Sequence, residues 1–261
     1  MGDILVDLLG DVTVRTTGGE RAIPSRQQRL TLSLLALSPD RPVSVETIIR
    51  VLWDDDPPPS ARTTVRGYVR RLRSLLAVGA RFDVIASHPG GYRLCVDPED
   101  VDVGRFRAGR ARAAATDDPA AEAVLLDSCL ALWRGRPLAG LEGVSWVERT
   151  VAALDEELLQ AAERRCDLLL AGRDHGAVAA RVQGLLVQHP FRESLWRRLL
   201  QSLHQGGRTA EALLRYETLR RQLNEALGVE PSAETQGLHR LMLRADGSGT
   251  TVRPRRDHTP A

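Results

Sequence analysis

The sequence predicts two folds in series. Residues 1–97 read as an α+β domain of short strands, three helices and a closing hairpin, and residues 98–245 as an all-α domain. Three observations lead there. Strand-like runs appear only before about residue 97. One helical stretch, Pro59 to Leu76, carries five arginines and no acid. From Pro98 the chain turns to Ala, Leu and Arg with a 3.6-residue apolar period and almost no strand signal.

The first domain opens with Ile4–Leu9 and Asp11–Thr16, where Val12 and Val14 alternate with polar neighbours. Gly18-Gly19 is a hairpin turn, and Arg21-Ala22-Ile23 returns as a third strand stopped by Pro24. Ser25 and Gln28 fit a reciprocal capping box for a helix with Leu30, Leu34 and Leu37 on its apolar stripe. Ser44 is expected to cap a second helix, which buries Val45, Ile48, Ile49, Leu52 and Trp53. An acidic, proline-rich connector, Asp54 to Pro59, leads into the arginine helix.

That helix organises the domain. Pro57, Pro58 and Pro59 stop anything before it, and Ser60 is placed as its cap. Ala61, Val65, Tyr68, Val69, Leu72, Leu75 and Leu76 share one arc; Arg62, Thr63, Arg66, Gly67, Arg70, Arg71 and Arg73 share the other. An ordinary solvated face mixes signs and pairs i with i+4. This one has no acid of its own, which suits an anionic partner. Beyond it, Phe82–Ile85 and Tyr92–Val96 form a hairpin around the loop Ala86–Gly91. Sheet, helix, helix, arginine helix, hairpin is the order of a winged helix-turn-helix domain, with the hairpin as wing.

In the second part, helical periodicity runs through 102–116, 119–133, 145–172, 175–188, 192–206, 208–227 and 232–245. Ala171-Gly172-Arg173 and Gly206-Gly207-Arg208 occupy similar turns 35 residues apart, with Ala177 and Ala212 in matching places. That spacing is close to a tetratricopeptide repeat; an irregular helical bundle is the alternative. Trp133, Trp146 and Trp196 are expected in the helical core. Residues 246–261 have no apolar pattern and are expected to be a disordered tail.

Composition narrows the function. All 36 basic residues are Arg, so no Walker-A lysine and no Schiff-base lysine exists. Residues 1–96 hold 13 Arg against 10 Asp and Glu, so the positive charge is local to the first domain although the whole chain is only +2. Cys95, Cys129 and Cys166 form neither a disulfide framework nor a CxxC site. The six histidines show no metal spacing, and no GxSxG elbow is present. No cofactor, no metal and no enzymatic role are expected. Without a signal segment or an apolar span, the reading is cytoplasmic with no membrane partner.

Several stretches together resemble a known family. They are Gln27-Gln28-Arg29-Leu30, Val43-Ser44-Val45, Leu52-Trp53, Gly67-Tyr68-Val69-Arg70-Arg71-Leu72-Arg73 and the wing Pro89-Gly90-Gly91-Tyr92. To these add Val101-Asp102, Phe106, Leu130-Ala131-Leu132-Trp133-Arg134-Gly135 and Leu227-Gly228-Val229-Glu230-Pro231. Over residues 4–245 the chain resembles the antibiotic regulatory activators of the AfsR/DnrI type. The resemblance implies an OmpR-like winged helix followed by a helical bacterial transcriptional activation domain, in a short, stand-alone form. It further implies activation of a secondary-metabolite gene cluster. The implied partners are promoter DNA carrying direct repeats near a −35 element, RNA polymerase holoenzyme through its σ factor, and a second copy on DNA.

In that setting Arg62, Thr63 and Arg66 are expected to reach base edges in the major groove, and Gly67 to allow close backbone approach. Arg70, Arg71 and Arg73 are expected on phosphates. Arg26 and Gln28 add a phosphate contact or merely cap their helix. His88, Gly90 and Gly91 bring the wing to the minor groove or backbone. Asp54, Asp55 and Asp56 either face the polymerase or belong to a proline-stiffened turn. Two other readings fit the same residues: a helical adaptor whose winged helix binds protein, and a repressor with the same DNA-binding mode.

Overall fold

A computed structural model describes residues 4–54, 56–77 and 84–247. Strands β1 (Ile4–Asp7), β2 (Thr13–Thr16) and β3 (Gly19–Ala22) form an antiparallel sheet in the order β1-β2-β3, with Val6 opposite Val14 and Thr16 opposite Gly19. The turn is therefore Thr17-Gly18, one residue earlier than the two glycines suggest. All four residues of β1 are buried, whereas alternation would bury every second one. Its free edge is closed by a parallel bridge from Val6 to Val101.

Helix α1 (Arg26–Ala36) packs on α2 (Val45–Trp53) and on α3 (Ala61–Leu76). Val65, Val69, Leu72 and Leu76 form the inner stripe of α3, each worth about 1.5–3 kcal/mol once fully buried. Ser44 caps α2 as expected, its hydroxyl accepting from the Thr47 N–H at 3.0 Å. The other two expected caps do not form. Ser25 Oγ donates to Gln27 Oε1 instead. At Ser60 the backbone carbonyl, not the hydroxyl, takes the first-turn bonds, from the Thr64 N–H and Oγ1.

The wing is tighter than the sequence suggests. Strands β5 (Ile85–His88) and β6 (Gly91–Leu94) leave only Pro89 and Gly90 as the turn. Phe82 and Asp83, assigned to the first wing strand from sequence, lie outside the described residues. A two-residue strand, β4 (Val43–Ser44), adds to β6 and gives a second sheet in the order β4-β6-β5. A pair of residues is too short for periodicity to reveal; only its partner makes it a strand.

After a single 3-10 turn at Pro98–Asp100 the chain enters α4 (Asp102–Ala114), α5 (Pro119–Leu130) and α6 (Ser145–Ala171). Asp102 is fully buried, 0% exposed. Its carboxylate accepts from the Leu8 and Leu9 N–H groups and from Arg134 Nη2, at 2.8–2.9 Å. The chain at Arg134, Leu138 and Ala139 then donates its N–H groups to the carbonyls of Leu9, Leu8 and Gly10. Phe106 meets Trp133 edge to face at 5.4 Å, and the Cys129 Sγ fills the space beside Gly109. Trp133 and Trp146 are half-buried at the margin of this packing, while Trp196 is buried.

The composition change at Pro98 thus does not mark the compact unit. Residues 1–162 form one unit and residues 163–261 a second.

The second unit contains α7 (His175–Gln188), α8 (Glu193–Gln205), α9 (Thr209–Leu227) and α10 (Ala233–Gly247). Helix α8 packs against both α7 and α9, its sequence neighbours, across short connections. The repeat register is 34 residues, not 35. Arg173 (φ 59°) and Gly207 (φ 77°) hold the same left-handed position. Asp174 N–H bonds Leu169 O and Arg208 N–H bonds Leu203 O. Val178 and Ala212 are the matching fully buried residues. The Glu193 carboxylate, at the start of α8, accepts from Ser232 and Thr235 at the start of α10. Residues 248–261, which hold most of the expected tail, lie outside the described residues.

Removing the Asp102 carboxylate takes the acceptor from the Leu8, Leu9 and Val103 N–H groups and the nearest of its partners from Arg134. Asp102→Ala is expected to lower the unfolding free energy by roughly 3 kcal/mol, with Asp102→Asn retaining part of it. Urea melts that leave Asp102→Ala within about 0.5 kcal/mol of wild type, the range of an ordinary surface change, would contradict this account.

Candidate nucleic-acid interface

Five of the seven residues expected on the outer face of α3 are exposed, and Gly67 and Arg73 are half-buried. The five are Arg62, Thr63, Arg66, Arg70 and Arg71. Gly67 lies among them, and a Cβ added there would meet nothing within 4 Å. No packing constraint asks for glycine, so its effect is to leave the backbone bare at the middle of the face. Arg66, Arg70 and Arg71 have no ion-pair partner among the described residues. Arg66 and Arg70 stand one helical turn apart, and like charges at that spacing repel by a few tenths of a kcal/mol. The strain is small, and an anion placed between them would relieve it.

Arg62 differs. Its Nη2 donates to Glu46 of α2 in an exposed ion pair. The Glu46 backbone N–H, free at the start of α2, and Arg62 hold this carboxyl below the usual range. The face therefore has one acid at its edge, supplied by the preceding helix. Sequence spacing could not find it, because Glu46 and Arg62 are sixteen residues apart and meet only through the helix-turn-helix crossing.

Four expected contacts are corrected by the geometry. Gln28 is only 6% exposed, inside α1, where burial runs unbroken from Leu30 to Ala36; it cannot reach a phosphate. Arg26 donates to the carbonyls of Leu141 and Glu142, at 3.3 and 2.7 Å, so its guanidinium is held by the chain itself. Arg73 donates from Nε to Ile85 O at 2.8 Å and from Nη2 to Ser87 Oγ at 2.9 Å. It is half-buried and engaged with the wing. Gly91 is buried, and a Cβ there would lie 2.1 Å from Val43 O. Its glycine serves the close approach of β4 and β6 rather than of DNA.

The wing tip itself is open. Gly90 is exposed at φ +79°, and His88 is exposed with its ring nitrogen 3.2 Å from Pro89 O. Behind α2, Asp54 is exposed at φ 50° and its N–H closes the helix on Arg50 O. Asp56 is also exposed, its N–H bonded to Trp53 O. Asp55 lies outside the described residues. Among the described residues no cluster of His, Cys, Asp and Glu could hold a metal ion, and no helix is long and apolar enough to cross a membrane.

Comparison with known proteins agrees with this geometry. Residues 19–94 match the family described as "Transcriptional regulatory protein, C terminal" and residues 101–243 match "Bacterial transcriptional activator domain". The regulatory protein DnrI of Streptomyces peucetius is 34% identical over 255 residues, covering 92% of each chain. The chain belongs to the AfsR/DnrI-type family of transcriptional activators. Within that family the transcriptional regulatory protein EmbR of Mycobacterium tuberculosis is 32% identical over 243 residues. The match covers 91% of this chain but 62% of EmbR, so this chain spans less than two thirds of that relative. The solved structure of EmbR in complex with a low affinity phosphopeptide superposes with a TM-score of 0.86 at 30% identity. It covers 93% of this chain and 65% of that one. The winged helix and the helical domain are thus the family's arrangement.

The two wing glycines separate cleanly by substitution. Gly90→Ala keeps open space but a left-handed φ, and is expected to cost about 1 kcal/mol. Gly91→Ala drives a methyl into the Val43 carbonyl and is expected to cost roughly 2–3 kcal/mol, by thermal or urea unfolding. Equal costs at the two positions would overturn the β4–β6 explanation.

Proposed function

We propose that the chain is a sequence-specific DNA-binding activator of transcription. The observation that carries this reading is the group of three exposed arginines on α3, Arg66, Arg70 and Arg71, which have no ion-pair partner among the described residues and stand beside the bare backbone of Gly67. A guanidinium fork pairs with guanine O6 and N7 or clamps a phosphate. Recognition helices reach base edges from their N-terminal half. On that basis Arg66 and Thr63 read bases, Arg70 and Arg71 fix register on phosphates, and Arg62 joins them by giving up Glu46.

The finer reading follows from the family. The chain binds direct repeats near a −35 element as a pair of copies, and engages RNA polymerase to switch on a secondary-metabolite cluster. The exposed Asp54 and Asp56 offer an acidic patch to a basic surface such as that of a σ factor. The exposed apolar side chains of the second unit, among them Val187, Phe191 and Leu214, suit protein contact. An adaptor that never met DNA would need an acidic protein surface to meet the α3 arginines.

The test is footprinting on the promoters that neighbour the chain's own gene, wild type beside single arginine variants. Expected are protected direct repeats in wild type, lost in Arg66→Ala, a change worth about 1–3 kcal/mol if it breaks a bidentate base contact. Arg70→Ala and Arg71→Ala should each reduce the slope of log K against log salt by about 0.9. Arg62→Ala should cost less than Arg66→Ala, because Arg62 must first leave its carboxylate. Binding with no sequence preference over competitor DNA at moderate salt would sink the reading.

A further inference from the structure

We propose that Arg73 is a positioning residue that locks the wing to the recognition helix, so that the two meet DNA as one body. The inference rests on the DNA-binding reading above and gives Arg73 a role different from its neighbours on the same helix. Arg73 stands eleven residues beyond Arg62, three turns along α3, and so on the same edge of the helix. At one end of that edge Arg62 pairs with α2 through Glu46; at the other Arg73 enters the wing. Between these two ends Arg66 and Arg70 stay exposed, as Thr63 and Arg71 do further round the helix.

Three contacts hold Arg73 in place. Its Nε donates to Ile85 O at 2.8 Å, its Nη2 donates to Ser87 Oγ at 2.9 Å, and its guanidinium carbon lies 5.9 Å from the centre of the Tyr92 ring. The first two targets are on β5, the outer strand of the order β4-β6-β5. The inner arm of the hairpin is already anchored elsewhere. Strand β6 pairs with β4, Val45 N–H bonds Gly90 O at 2.9 Å, and Gly91 sits against the Val43 carbonyl. So the β6 arm is tied to the start of α2, and Arg73 ties the β5 arm to α3. A hairpin held by one arm can swing about it; one held by both cannot. The tip at His88 to Gly90 is therefore set at a fixed offset from Arg66 and Arg70.

The chemistry needs arginine. A planar fork can donate to a carbonyl and a hydroxyl at once while lying over a ring. An ammonium keeps the charge but loses that geometry. This separates positioning from phosphate binding in one substitution.

The experiment uses the full chain and a duplex that wild type selects from a random-sequence pool. Wild type, Arg73→Lys, Arg73→Ala and Ser87→Ala are compared in affinity, salt slope and minor-groove cleavage protection. Hydrogen exchange in the free protein is followed at Ile85–His88. If Arg73 positions the wing, Arg73→Lys and Arg73→Ala both weaken operator binding by roughly tenfold, the size expected for two lost hydrogen bonds. Both also lose protection under the wing, exchange faster at Ile85–His88, and keep the wild-type salt slope. Ser87→Ala, which changes no charge and breaks one bond, should show the same pattern at about two- to threefold.

If Arg73 is instead a phosphate contact, Arg73→Lys behaves as wild type and Arg73→Ala lowers the salt slope by about 0.9. Either result overturns the proposal, as does unchanged exchange in both Arg73→Lys and Ser87→Ala. A pool from which wild type selects nothing would count against the DNA-binding reading. The exchange arm would still decide the tie between Arg73 and the wing.

Discussion

The buried carboxylate of Asp102 is the interaction on which the first unit depends. It sits where β1 leaves its sheet, at the point where Leu8 and Leu9 would otherwise present two N–H groups to an apolar interior. An unmet buried N–H costs on the order of 1–3 kcal/mol, so one carboxylate resolves two such costs. Burial pushes the Asp102 carboxyl up, while the Leu9 and Leu8 amides and Arg134 pull it down. A second carboxylate, Asp7, is buried next to it and is met by Arg15, Arg105 and Arg134. The residues that complete this cluster come from β1, β2, α4 and the stretch after α5. None of these pieces satisfies its polar groups without the others.

This explains why the compact unit runs to residue 162 although the winged-helix match ends at 94. The stretch that begins the activation-domain match, from residue 101, closes the edge of the N-terminal sheet and holds the start of α1. Arg26 reaches the carbonyls of Leu141 and Glu142, and Arg29 reaches Ile23 O. These three bonds fix α1, and α1 is one of the two helices against which α3 packs. The exposed face of α3 is therefore held in place partly from beyond residue 97, and a cut at the composition change would remove part of its support.

Much of this was legible in the sequence, and the failures have physical reasons. The helices were readable because their apolar periods are long: α7 and the arginine helix fall where the periodicity puts them. Gln28 misled because a polar residue near a helix start looks like a cap, whereas α1 is covered on nearly all sides. The repeat register slipped by one because Gly172 is a natural candidate for a left-handed position. The structure uses Arg173 there, a conformation that costs a non-glycine residue about 1–2 kcal/mol. The turn is imposed by the bonds around it, Asp174 to Leu169 above all, and residue type does not announce it.

Arginine shows the same limit most sharply. With no lysine in the chain, one residue type performs every cationic task, so its presence says little about which task. Arg134 neutralises a buried acid, Arg26 braces a loop by its carbonyls, Arg73 holds the wing, and Arg62 pairs across helices. Each of these has an acceptor within hydrogen-bond distance, and most of those acceptors are distant in sequence. Arg66, Arg70 and Arg71 are set apart by what surrounds them. Among the described residues no acid pairs with any of these three, and the carbonyls in the middle of α3 are taken by the helix itself. A cation in that setting has water or an outside anion as its partner. The functional signal therefore lies in the missing acceptor, and that can be seen only once the fold has brought every other acceptor into place.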